Sequence, residues 1–264
     1  MDTPRVPDVP PERLFVTLLS DPQIWMTVQA LARSDAHVDD LQSYTGLSAA
    51  AITHALDHLC ATETIMSRPS DADPQIVYYQ LHVDRLAALA QATLTALHPA
   101  LTLAPPPNNP PPLPQPVRPR VLFLCTRNSA RSQIAEGLLR MISGGTVDAF
   151  SAGVAPASLH PLARESLERV GAFTAPMDSK HMDVFAGQHF DYAITVCDQA
   201  REVCPIFPNA DQHMHWSLPD PAAAEVNRQP KAFQAVSIEL AQRIRYLLTF
   251  IERDRRQVGT GVRA

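Results

Sequence analysis

Nine of the fifteen residues from Pro105 to Pro119 (PPPNNPPPLPQPVRP) are proline. Proline has no amide N–H for a helix or a strand ladder, and its ring pre-sets an extended backbone. The segment is therefore expected to be a semi-rigid spacer of roughly 3 Å per residue. Cutting the 264-residue chain there leaves two bodies of ordinary domain size, residues 1–104 and 120–264, with 105–119 between them.

The cut also separates two charge regimes. Residues 1–104 carry five Arg or Lys against twelve Asp or Glu, a balance of −7. Residues 105–264 carry seventeen against fifteen, or +2, and the two sum to the −5 of the whole chain. No apolar run approaches the ~18 residues of a membrane span. The opening MDTPRVPDVPPERL has no apolar stretch of a secretory signal, so a cytoplasmic address is the default expectation. Four cysteines are too few for a disulfide framework, and in a reducing compartment they point to catalysis or metal binding.

The first body reads as mostly helical. Apolar spacing predicts helices over Pro11 to Arg33, broken near Ser20–Asp21–Pro22, then Val38 to Tyr44, Ala49 to Cys60 and Val83 to Leu97. Thr64–Ser67 and Ile76–Leu81 can pair as a hairpin before the last helix. Helix–turn–helix, hairpin and helix is a winged-helix order. Cys60 is expected to pack at a helix end.

The second body alternates strand and helix. Arg120–Leu124 (RVLFL) is a continuous apolar run, as suits a strand buried on both faces. Helices are expected at Ser132–Ile142, Leu162–Val170 and Lys231–Arg255, and strands at Thr146–Ser151, Tyr192–Val196 and His213–Trp216. The pattern predicts an α/β fold, a small doubly wound parallel sheet of four strands, with ligands bound beyond the strands' C-terminal ends. Cys125 and Cys197 both fall there. His213 and His215 alternate along one strand face without a third ligand nearby, which argues against zinc.

Between the first strand and its helix lies C-T-R-N-S-A-R-S, Cys125 to Ser132. A short loop entering a helix N-terminus can turn successive amides inward as an anion nest, and the helix dipole adds positive potential. Thr126, Arg127, Asn128, Ser129, Ala130, Arg131 and Ser132 would then surround an oxyanion. Arg131 supplies a planar fork for a tetrahedral anion. Cys125 sits beneath it, where the same field favours the nucleophilic thiolate, and Ser132 can donate to its sulfur. The competing reading is a buried structural cysteine with a solvated arginine. Strand, C-x5-R-S and helix in one register favour the nucleophile.

CTRNSARSQIAEGLLR resembles the phosphate loop and first helix of the low-molecular-weight tyrosine phosphatase superfamily, and SAGV at 151–154 resembles its second-strand ending. The resemblance runs from about Arg118 to Arg255. It departs at Arg127, where Gly is common, and at Ala130, where many members have a second Cys. The superfamily contains phosphatases and arsenate reductases. Here TVC-x6-CP, with Cys197 and Cys204, is similar to the thioredoxin-coupled reductases. Seven residues of helix span roughly 10 Å, too far for an unstrained disulfide, so a Cys197–Cys204 bridge requires unwinding. Two small buried hydrophobic residues are the alternative reading of the pair.

The resemblance implies a relay. Cys125 attacks arsenate, Asp220 of HWSLPDP protonates the departing hydroxide, Cys197 takes over the Cys125 sulfur, and Cys204 resolves the disulfide for an external dithiol, thioredoxin by similarity. No tightly bound cofactor is implied. Asn128, Glu136, Ser151 and Asp183 resemble the residues of a potassium site in some reductases. A phosphatase, needing neither Cys197 nor Cys204, is the competing activity.

Residues 11–98 resemble ArsR-type winged-helix repressors, through QSYTGLSAAAITHALDHL and IVYYQL. That likeness implies a homodimer, a regulatory role or DNA binding, and so a third reading in which the second body is vestigial. The −7 balance counts against DNA, as does a reading helix, Ala49–Leu59, with no Arg or Lys. The paired cysteines of arsenite-sensing members are also missing from residues 34–40.

Overall fold

A computed structural model of the chain describes residues 10–98, 101, 118–172, 177–203 and 207–260. The expected spacer lies outside these residues except for Arg118 and Pro119, and so does Cys204. The chain divides into two compact units, Met1–Pro105 and Pro106–Ala264. No helix among the described residues is long and apolar enough to cross a membrane.

In the first unit, Asp21 breaks the opening helical run by capping a second helix. Its carboxylate accepts from the amides of Gln23 (2.7 Å) and Ile24 (3.2 Å), so α1 (Pro11–Leu19) stops and α2 (Pro22–Leu31) starts. α3 (Val38–Thr45) ends on Gly46 at φ 72°, a left-handed position that glycine takes without steric cost. Ser48 then caps α4 (Ala49–Ala61) through the amide of Ala51. β1 (Ile65–Pro69) and β2 (Val77–Leu81) pair antiparallel, with Ile65 opposite Leu81, and Ala36 bridges to Tyr79. α5 (Val83–Leu97) packs against α1. The core holds Leu14, Leu18, Ile24, Val28, Leu41, Ile52, Leu56, Leu59 and Leu89. Cys60 does not pack as expected: it lies on the outer side of the last turn of α4 and is exposed.

The second unit is built on a four-stranded parallel sheet in the order β4-β3-β5-β6. The strands are β3 (Arg120–Cys125), β4 (Asp148–Gly153), β5 (Phe190–Thr195) and β6 (Ala210–His215). β3 is central and feeds two cores by alternation. Val121, Phe123 and Cys125 face the helices α6 (Arg131–Ile142), α7 (Pro161–Arg169) and α9 (Gln229–Thr260), whereas Leu122 and Leu124 face Phe185, Phe190 and Phe207. That two-sided burial is why RVLFL carries no polar alternation. Ile134, Leu138 and Leu139 of α6 contribute about 1.5–3 kcal/mol each from burial, taken as an upper range.

Two elements escape a reading by periodicity. α8 (Asp198–Val203) is too short to show a helical stripe, and Met182–Phe185 is a single 3₁₀ turn. β4 and β5 also start about two residues away from their expected positions. Strand limits follow pairing with neighbours, and pairing is not a local property.

Candidate active site

The parallel register brings the chemistry to one rim. Leu124 pairs with Thr195 and Cys125 pairs with Gly153, so β3, β4 and β5 end side by side. The amide of Val196 donates to Leu124 O at 2.8 Å and carries the β3–β5 contact one step further. Cys125 and Cys197, distant in sequence, thus leave neighbouring strands at the same edge. Both are buried, at 4% and 1% exposure.

The loop from Thr126 to Ala130 is held from outside by its carbonyls. Thr126 O accepts from Ala155 N (2.9 Å), Arg127 O from Ala157 N (2.9 Å) and Ser129 O from His160 N (2.8 Å). With these carbonyls fixed outward, the loop amides are left for the concave side. One of them, Asn128 N, donates to Cys125 Sγ at 3.0 Å. Gly153 provides the seat: a Cβ there would lie 2.7 Å from Thr126 O and 2.8 Å from Asn128 N. SAGV is visible as a motif in the sequence, but this close approach is not, because only the folded loop creates it.

Asn128 has φ 46°, a left-handed conformation that Asn accepts more readily than most residues. Its side chain is fully engaged. Nδ2 donates to Ser132 Oγ (2.9 Å) and Ser151 Oγ (2.8 Å), and Oδ1 accepts from Lys180 N (2.7 Å). Its carbonyl accepts from Gln133 Nε2 and Ser179 Oγ. Ser132 Oγ stands 2.9 Å from Cys125 Sγ.

Arg131 opens α6 and is 9% exposed. Its Nη1 donates to Leu218 O at 2.8 Å, and its Nη2 lies 3.5 Å from Asp220 Oδ2. Asp220 also caps the 3₁₀ turn Pro221–Ala223 through Ala222 N, so its carboxylate is aimed by local backbone as well as by the arginine. Cys197 Sγ lies 3.4 Å from Thr126 Oγ1 and accepts from Ala200 N at 3.4 Å. Burial pushes its thiol pKa up, and the negative charge of Cys125 adds to that. Arg131 and the bonds from Thr126 and Ala200 oppose the rise without reversing it.

The structure thus brings together Cys125, Arg131, Ser132, Asp220 and Cys197 around one loop. Arg127 is exposed at its mouth. The four residues expected to hold potassium do not assemble. Asn128, Ser151 and Glu136 form one chain of contacts, in which Ser151 donates to a Glu136 carboxylate only 2% exposed. That carboxylate also meets Arg140 and, at 4.0 Å, Lys180 Nζ, so its charge is matched within the chain. Asp183 lies elsewhere, 82% exposed and paired with His181, because it sits on the 3₁₀ turn rather than beside the loop. A hard cation needs converging oxygens. Here a guanidinium, an ammonium and an amide N–H occupy the approach, so these residues do not fit one. Among the described residues no group of three or more His, Cys, Asp or Glu could hold a metal ion. His213 and His215 serve the backbone and buried neighbours, with His213 Nε2 2.9 Å from Phe207 O.

An anion loop on a four-stranded parallel sheet, with a cysteine beneath it and an arginine closing it, defines a class. Residues 120–257 match the low molecular weight phosphotyrosine protein phosphatase family, and the chain belongs to that family. Within it, the arsenate reductase of Halalkalibacterium halodurans is 35% identical over 134 residues, 50% of this chain and 94% of that protein. The arsenate reductase of Bacillus subtilis is 33% identical over 127 residues, 47% of this chain and 91% of that protein. A solved thioredoxin-dependent arsenate reductase from Corynebacterium glutamicum aligns at 26% identity with TM-score 0.42, covering 82% of this chain and 95% of its own.

Proposed function

We propose that the second unit reduces arsenate to arsenite by a three-thiol relay. The observation that carries this reading is Cys197: buried beside Thr126 of the anion loop, close enough for the charge of Cys125 to perturb it. A phosphatase has no use for a second thiol there. The relatives named arsenate reductase, at 33% and 35% identity over nearly their full length, support the same reading.

The Cys125 thiolate attacks arsenic in arsenate held by the loop amides and Arg131. Asp220 gives a proton to the leaving hydroxide, and water departs. Cys197 then attacks Cys125 Sγ. The S–S bond forms, the S–As bond breaks with its electron pair left on arsenic, and arsenite is released. Cys204 attacks Cys197 and frees Cys125. An external dithiol of the thioredoxin kind reduces the Cys197–Cys204 disulfide.

For the first unit we infer a winged-helix module of ArsR type over residues 1–104, joined by the 105–119 spacer and acting in dimerisation or regulation. The order of α1–α4, the β1–β2 hairpin and α5 supports it. DNA is a poor fit as a partner, because α4 turns Thr53, His54 and Asp57 outward and carries no Arg or Lys.

The decisive experiment is arsenate-dependent NADPH consumption with thioredoxin and thioredoxin reductase. Multiple turnovers are expected for the unsubstituted chain, and a halt after about one turnover for Cys204→Ser. No consumption by either, with aryl phosphate hydrolysis that survives the Cys204 change, would establish a phosphatase instead.

A further inference from the structure

Beyond the anion loop, Thr195, Asp198, His215 and Ser217, at 6%, 0%, 1% and 4% exposure, form one cluster of buried polar side chains that the relay does not use. They straddle Cys197 in sequence. Thr195 comes two residues before it and Asp198 one after. His215 ends β6 in register with Thr195, and its ring reaches both sides of the cysteine. Nδ1 lies 2.8 Å from Thr195 Oγ1 and Nε2 lies 3.2 Å from Asp198 Oδ1, to which Ser217 Oγ also donates at 2.9 Å. The backbone closes the same side, with Trp216 N donating to Thr195 O at 2.8 Å.

The other side of Cys197 is tied to α8 by two bonds, Ala200 N to its Sγ (3.4 Å) and Arg201 N to its carbonyl (3.2 Å). A Cys197–Cys204 disulfide needs Cα atoms within about 7 Å, so α8 must unwind for it to form. That motion breaks the α8 bonds. It has no need to break the others, and there is a strong reason for it not to. A carboxylate wholly removed from water is tolerated only with partners facing it. Pulling Asp198 out with the helix would also leave His215 and Ser217 buried without it.

We propose that Asp198, His215 and Ser217 form a latch that fixes the Cys197 end of the segment while α8 unwinds. Cys197 then stays beside the anion loop as the fixed station of the relay, and residues 199–204 carry Cys204 to it. Asp198 and His215 are positioning residues; they act through Cys197 and touch no reacting atom. The inference rests on the relay reading above.

The test compares the full chain in its reduced and Cys197–Cys204 oxidised forms by nitrogen-labelled histidine NMR and amide hydrogen exchange. The latch predicts that the hydrogen-bonded His215 ring signal and the protection of the Trp216 amide persist on oxidation, while amides 199–203 exchange at least about tenfold faster. Loss of the His215 signal along with α8 protection overturns the latch and leaves the relay standing. Failure of arsenate to produce the disulfide at all removes the relay, and the latch with it. An Asp198→Asn variant adds a kinetic arm. Phosphate protection of Cys125 against iodoacetate and KM for arsenate should stay at the unsubstituted values while kcat falls at least tenfold. Equal loss of anion binding and turnover would assign the set a merely structural role.

Discussion

Ser132 Oγ is 2.9 Å from Cys125 Sγ and accepts from Asn128 Nδ2 at the same distance, so its own proton is left for the sulfur. A hydrogen bond to a charged group contributes about 1.5–3 kcal/mol. Ser132→Ala is therefore expected to slow iodoacetate alkylation of Cys125 at neutral pH by roughly ten- to a hundredfold. An unchanged rate would mean that the Asn128 amide alone holds the thiolate.

Gly153 admits no side chain. Its would-be Cβ meets backbone atoms of Thr126 and Asn128 below 3 Å, and backbone cannot swing aside as a flexible side chain can. Overpacking of this kind costs about 1–3 kcal/mol. Gly153→Ala should weaken phosphate protection of Cys125 by at least about tenfold and lower the urea midpoint. Full anion affinity in that variant would show that the loop is seated elsewhere.

Cys197 has its thiol pKa pushed up by burial and by the charge of Cys125. A raised value means that the thiol is mostly protonated at neutral pH, and only the thiolate attacks. Below that pKa the thiolate fraction grows about tenfold for each pH unit. Quenched single-turnover reactions should therefore show Cys125–Cys197 disulfide formation accelerating between about pH 6 and 8. A rate that falls over this interval would contradict the assigned direction.

Asp220 is set by Arg131 at 3.5 Å and by Ala222 N. Positioned general acids contribute about 10²–10⁴-fold. Asp220→Asn should lower kcat for arsenate by roughly a hundredfold while phosphate still protects Cys125. Loss of protection would make Asp220 part of the anion grip instead.

The parts of this site that sequence discloses are those made by consecutive residues. Cys125 to Ser132 form a strand end, a loop and a helix start, so the nucleophile, its arginine and the amides of the anion nest fall inside one window of sequence, whereas the bonds that hold the loop from Ala155, Ala157, His160 and Lys180 do not. Asp220 is legible for the same reason, as an Asp-Pro turn. Asp183 does not join Glu136 because its place depends on a 3₁₀ turn that no periodicity announces. The Asp198–His215 pair gives no sequence signal because two strands must align before Asp198 and His215 face each other; His215 alone looks like one of two alternating strand histidines. Gly153 likewise gives no sign of the loop resting on it.

The three carbonyls of Thr126, Arg127 and Ser129 are held by the amides of Ala155, Ala157 and His160. The cup's shape is consequently written in main chain on both of its walls, and main chain is indifferent to substitution. Arg127, whose side chain is exposed at the mouth, can differ without deforming the cup. A changed side chain at the exposed mouth therefore alters what approaches the cup while the main-chain grip beneath it stays as it is.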